Sequence, residues 1–192
     1  MRNLSRVGEA DEAARPQAPI TLSAACIGWA RSAHYITEPV DDGDVQLRSE
    51  AGTPSRYFIR RRGTDRLALT ESEDDAEEHP RLFVAEIAVL EKHLVALFAD
   101  DIRDDLDLPF LEMDWSIDAV AGGYRVSDIE RGYRTLMRTG GEPVAAAPDP
   151  TLSLLTLVPL SHFIQWSIAD LKRSFLNPAG VPLLHRGRYA AC

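Results

Sequence analysis

The chain predicts an α+β fold: an antiparallel β-meander packed against a long central helix, with additional short helices. Two stretches carry that prediction. In residues 81–102, RLFVAEIAVLEKHLVALFADDI, Phe83, Ile87, Leu90, Leu94 and Leu97 recur at spacings of four and three, one stripe of an α-helix that Leu82, Phe98 and Ile102 widen. Between 45 and 72, the β-favouring runs VQLRS, RYFIRRR and LALTES are separated by the turn signals AGTPS and GTD and preceded by DDGD.

Taken in order, residues 1–19 are polar, end in Pro16 and Pro19, and are expected to be a mobile tail. A single domain is expected over 20–185, with a second tail at 186–192. Thr21 serves as an N-cap for a helix that places Leu22, Ala25, Cys26, Trp29 and Ala33 at helical spacing. In the meander, Tyr57 and Ile59 share one face while Phe58, Arg60 and Arg62 share the other. Arg60, Arg61 and Arg62 read as an exposed strand edge that deters further pairing. ESEDDAEE, 71–78, holds six carboxylates and no base and reads as a solvated loop before Pro80 and the long helix. DDIRDDLDLPFLEMDWSID, 100–118, sets eight carboxylates against Arg103 alone, with Phe110, Met113 and Trp115 embedded among them. YRVSDIERGYRTLMRT reads as a second hairpin, and APDP as a linker or the start of a short helix over TLSLLTLV. Ser167 with Asp170 forms a capping-box-like start to SIADLKRSFL, and NPAG the stop.

A chain of 192 residues can bury roughly 70% of the surface its unfolded form exposes, so a substantial core is available. The formal net charge of -9 repels nucleic-acid phosphates and anionic lipid headgroups, so neither nucleic acid nor membrane is an expected partner and a basic protein is. The two cysteines, Cys26 and Cys192, argue against a disulfide framework and fit a reducing, cytoplasmic compartment. The N-terminus has no long apolar core, and no later run approaches the roughly 20 apolar residues of a membrane-spanning helix.

Catalytic and cofactor patterns are absent. The five histidines show no HxxxH or HExxH spacing, and no glycine-rich phosphate loop occurs, so neither metal nor cofactor is expected. Ser161 and His162 are sequence neighbours whose side chains point apart, without a G-x-S-x-G elbow. Adjacent acids such as Asp104 and Asp105, in a hydrophilic run, ordinarily stay hydrated rather than take up general acid–base work. Trp115, Phe110 and Met113 either pack on the helix or, if exposed, form the aromatic centre of an acid-rimmed surface for a basic partner.

From Gly28 to Leu184, the landmarks WARSAHY, RYFIRRR with LTES, LEKHLVALF followed by IRDDLDLP, GGYRV, and LVPLSHFIQWSIADLKRSFLNPAGVPLL resemble a bacterial immunity-protein family, immunity protein family sixty-one, also called the TNT antitoxin family. Two departures, Ala99-Asp100 where a glycine often follows LF and Asn177 where aspartate is usual before Pro178, are conservative for the fold. The resemblance implies a non-enzymatic antitoxin that binds an NAD-hydrolysing toxin in the cytosol and blocks its active site. Such toxins tend to offer a basic, dinucleotide-binding cleft that an acidic inhibitor would occupy quickly. The clustered acids then suggest toxin contacts at Asp74, Asp75, Glu77, Glu78, Asp100, Asp101, Asp104 and Asp105, with Trp115. Two alternatives stay open: an enzyme with a site scattered over Glu71, His162 and Asp170, and a non-catalytic regulatory adaptor. Oligomeric state is not encoded in any pattern of this chain.

Overall fold

The computed structural model describes residues 18–190 except 41, 42, 53, 64, 74 and 75. Most of the expected N-terminal tail thus lies outside the described residues; Ala18 and Pro19 are exposed. Eight strands form one antiparallel sheet: β1 (Tyr35–Pro39), β2 (Val45–Ser49), β3 (Ser55–Arg61), β4 (Leu67–Glu73), β5 (His79–Val84), β6 (Tyr124–Val126), β7 (Tyr133–Arg138) and β8 (Pro143–Pro148), in the order β1-β2-β3-β4-β5-β8-β7-β6. The sheet is therefore two meanders joined where β5 meets β8, at Phe83↔Ala146 and Val84↔Ala145. The expected strands β2, β3 and β4 and the second hairpin, β6 with β7, are present.

The register explains the core. Val45 faces Ile59 and Ile59 faces Leu69, so the buried residues of three strands line up on one side of the pleat. Helices cover that side: α1 (Ala24–Ser32), α2 (Ile87–Leu97), α3 (Ala99–Asp105), α4 (Leu152–Phe163) and α5 (Ile168–Phe175) join the strands in a single apolar cluster. Ser23, two residues beyond the expected Thr21, caps α1 by accepting from the Cys26 amide at 3.2 Å. Ser167 caps α5 as expected, accepting from the Asp170 amide at 3.1 Å.

The long helix starts six residues later than its periodicity predicts. Arg81–Val84 belong to β5, where Leu82 and Val84 are buried and Arg81 and Phe83 turn to the other face, a period of two that RLFV satisfies as well as a helical one. Pairing with β4 on one side and β8 on the other decides the choice. Phe83 accordingly leaves the expected core stripe and sets its ring edge-on to Tyr133, 5.8 Å away. Opposite Pro80, which has no amide hydrogen to donate, the β4–β5 ladder slips at Leu69/Thr70. Helical bonds then continue across the α2–α3 junction, Phe98 amide to Leu94 carbonyl at 3.0 Å and Ile102 amide to Phe98 carbonyl at 3.4 Å. The break there coincides with the Trp29 indole, which donates to the Val95 carbonyl at 2.8 Å and draws on an acceptor of the helical ladder.

Three further expectations are corrected. The LALTES strand is present and runs one residue further, to Glu73, so Glu71, Ser72 and Glu73 are removed from the expected 71–78 loop, and Glu71 is buried against Arg81. β3 lies between β2 and β4, so Arg60–Arg62 is no sheet edge; Arg60 is instead consumed by Glu78 and Asp44. The C-terminal tail folds back as a hairpin of β9 (Leu184–His185) and β10 (Arg188–Tyr189), because Tyr189 can bury its ring against His162.

Candidate functional site

The expected contact residues separate into two groups. Around β4 and β5, Glu78 is not available as a free acid: both of its oxygens take the Arg60 guanidinium and Oε2 also accepts from the Thr70 hydroxyl at 2.6 Å. Arg60 holds the Glu78 carboxyl below the usual carboxylate range. Glu77 is exposed, and Asp74 and Asp75 lie outside the described residues.

On α3 the picture differs. Ile102 and Arg103 turn inward and are buried, which leaves Asp100, Asp101, Asp104 and Asp105 exposed on the opposite side. Partial burial, followed by the Asp101 charge for Asp100 and by the Asp105 and Asp104 charges for Asp101, raises both carboxyl pKa values, and Asp105 takes a hydrogen bond of 2.9 Å from His34 Nε2. A buried arginine thus fixes one side of a short helix whose other side is a dense negative field.

Chain-wise beyond α3, the segment 110–115 is extended and alternates. Leu111 is buried and Met113 packs on the core, while Phe110 and Trp115 stay 71% and 45% exposed. With Leu155 and Pro159 of α4 and Gly187 of the C-terminal hairpin they line a groove of about 510 Å³ that also includes Glu112 and Asp114. Grouped exposed apolar side chains rimmed by polar ones are the kind of surface on which protein partners dock. The groove is held from behind. Asp114 accepts from the Ser116 amide at 2.8 Å, its carbonyl accepts from the Tyr189 hydroxyl at 2.9 Å, and Tyr189 stacks at 3.6 Å on His162, whose Nε2 bonds the Ala119 carbonyl at 2.7 Å.

Chemistry of a catalytic kind is not assembled from the scattered trio. Glu71 is paired with Arg81, His162 with Ala119 and Tyr189, and Asp170 with Ser167 and Arg173. Among the described residues no group of three His, Cys, Asp or Glu side chains is placed to hold a metal, and no single helix is long and apolar enough to cross a membrane. Sequence reasoning named Trp115 but missed Leu155 and Pro159. Their signal was an apolar run, TLSLLTLVPL, too apolar all round to be covered on every side by one core.

The chain belongs to the family Immunity protein 61, which it matches over residues 29–183. Two curated relatives are the immunity factor for TNT of Mycobacterium tuberculosis (strain ATCC 25618 / H37Rv) and the immunity factor for TNT homolog of Mycobacterium bovis (strain BCG / Pasteur 1173P2), each 30% identical over 151 residues, covering 74% of this chain and 79% of the relative. The solved structure of Rv3902c from M. tuberculosis superposes with a TM-score of 0.74 at 26% identity, covering 84% of this chain and 92% of that one. The α+β architecture is thus shared along most of both chains.

Proposed function

We propose that this protein is an immunity factor that binds a cognate toxin in the cytoplasm and neutralises it without catalysis. The toxin is an NAD-hydrolysing enzyme with a basic cleft, and inhibition consists of covering that cleft. Family membership and the two relatives named as immunity factors for TNT support the role. One observation supports the contact surface above others: the four exposed aspartates of α3 lie close in sequence to a groove carrying the exposed rings of Phe110 and Trp115. Acid steers a basic partner during approach, and buried aromatic area then slows its departure. Of the carboxylates near β4 and β5, Glu78 is committed internally and contributes least.

The deciding experiment mixes the purified protein with its cognate toxin and follows NAD loss. Stoichiometric protection is expected. Asp104→Lys with Asp105→Lys should slow association at low salt by at least about tenfold, an effect that added salt reduces. Trp115→Ala should speed dissociation by roughly thirtyfold, a hot-spot loss of about 2 kcal/mol. Unchanged inhibition in both variants would move the interface elsewhere, and turnover of a substrate by the protein alone, lost on His162→Ala, would replace the reading by an enzyme.

A further inference from the structure

A second cavity, of about 300 Å³, opens between β3, β4, β5, α2 and the β8–α4 turn, apart from the α3 aspartates and the Phe110–Trp115 groove. Its volume suits a small organic group. Leu69, Leu97, Pro80 and Pro148 contribute apolar wall, and the polar lining runs from the buried Glu71 to the half-exposed Arg81 and the exposed His79 and Asp149. Glu71, 8% exposed, holds the Arg81 guanidinium through Nε and Nη2, and burial together with the Glu71 charge raises the pKa of the neighbouring Tyr57 hydroxyl. His93 presents its ring from α2, and neither of its nitrogens has a hydrogen-bond partner among the described residues. Burial, and then the Arg81 charge, push the His93 pKa down to about 4, so at neutral pH the ring is uncharged, with one N–H to donate and one bare nitrogen to accept. Asp149, at the mouth, spends its carboxylate on the Thr151 and Leu152 amides at 2.8 and 2.9 Å.

We propose that this cleft binds an uncharged primary carboxamide, carried either by a small free molecule or by an asparagine or glutamine side chain of a bound protein. The lining is the complement of that group. Two amide N–H donors meet the Glu71 carboxylate and the bare nitrogen of His93, and the amide carbonyl meets Arg81 Nη1, which has no partner among the described residues. Charged ligands are disfavoured: a carboxylate would face Glu71 and Asp149, and an ammonium or guanidinium would face Arg81. An apolar ligand would cover the His93 ring without offering its nitrogens a partner.

The test titrates the full-length chain with benzamide, benzoate and benzylamine, following the imidazole resonances of His93 by NMR. A saturable benzamide shift in the millimolar range is expected, with both charged analogues at least tenfold weaker. Thr156→Trp, at a half-exposed position of the rim, should close the mouth and abolish the shift while the thermal melt stays two-state, and His93→Gln should weaken binding at least tenfold when read by tryptophan or tyrosine fluorescence. Binding of benzoate or benzylamine as strong as that of benzamide, or a benzamide shift that survives Thr156→Trp, overturns the proposal. Repeating the titration with the cognate toxin bound separates the two sources: displacement of benzamide assigns the cleft to a partner side chain, and unchanged binding assigns it to a free amide.

Discussion

Replacing Arg103 by methionine tests the physical basis of the acidic surface. Arg103 is 2% exposed, and it donates to four backbone carbonyls: Pro109 at 2.9 Å, Asn177 at 3.0 Å, Pro178 at 3.3 Å and Phe175. Those carbonyls belong to the segment after α3 and to the C-terminal end of α5, where a cation also complements the helix dipole. Burial pulls the Arg103 pKa down and Asp100 partly offsets it, so most of the compensation for the buried charge comes from the carbonyls. Methionine keeps the stem's bulk and leaves four acceptors dry. At about 1–3 kcal/mol each the gross loss is large, and relief of guanidinium desolvation offsets much of it. The net loss should be about 3–5 kcal/mol, a sizeable part of an ordinary 5–15 kcal/mol stability, and Tm should fall by roughly 10 °C. Arg103→Lys should recover little, because a single ammonium cannot reach four carbonyls in this fork geometry. Urea unfolding and thermal melts read both variants. A methionine variant within about 1 kcal/mol of the parent would refute the idea that this guanidinium joins α3 to α5.

Other tests are independent of it. His93 has a folded pKa of about 4 against an unfolded value of 6.5, so below pH 6.5 the unfolded chain takes up a proton that the folded one does not. Stability should therefore fall between pH 6.5 and 4 by up to on the order of 3 kcal/mol more than in His93→Gln, measured by urea unfolding at stepped pH. Ser167→Ala removes the α5 cap and should cost about 1 kcal/mol in the same assay. Tyr189→Ala uncovers His162, whose pKa is lowered chiefly by burial, and an NMR titration should show that pKa moving back up toward its ordinary value.

Local signals carried a good share of the fold because they act over a few residues. The Ser167 cap and the NPAG stop act within their own segments, and β2, β3 and β4 pair as consecutive antiparallel strands in the order read. The start of α2 was not legible, since RLFV fits a strand or a helix equally until β4 and β8 supply partners. For the site, the acids of α3 and the Phe110–Trp115 run could be named from the sequence, but not their states. Whether Glu78 stays free depends on Arg60 eighteen residues earlier, and whether Trp115 stays exposed depends on α4 and the C-terminal hairpin.

By itself the sequence determined the acidic charge, the α+β class, the family and the absence of a recognised catalytic spacing. These follow from composition, short-range periodicity and local motifs. Only the tertiary structure decided which carboxylates remain free, where β5 ends and α2 begins, and that Tyr57, Glu71, Arg81 and His93 line one cavity. The physical reason is the same in each case: burial and ion pairing depend on residues brought together from distant strands and helices, and no spacing along the chain encodes such a meeting.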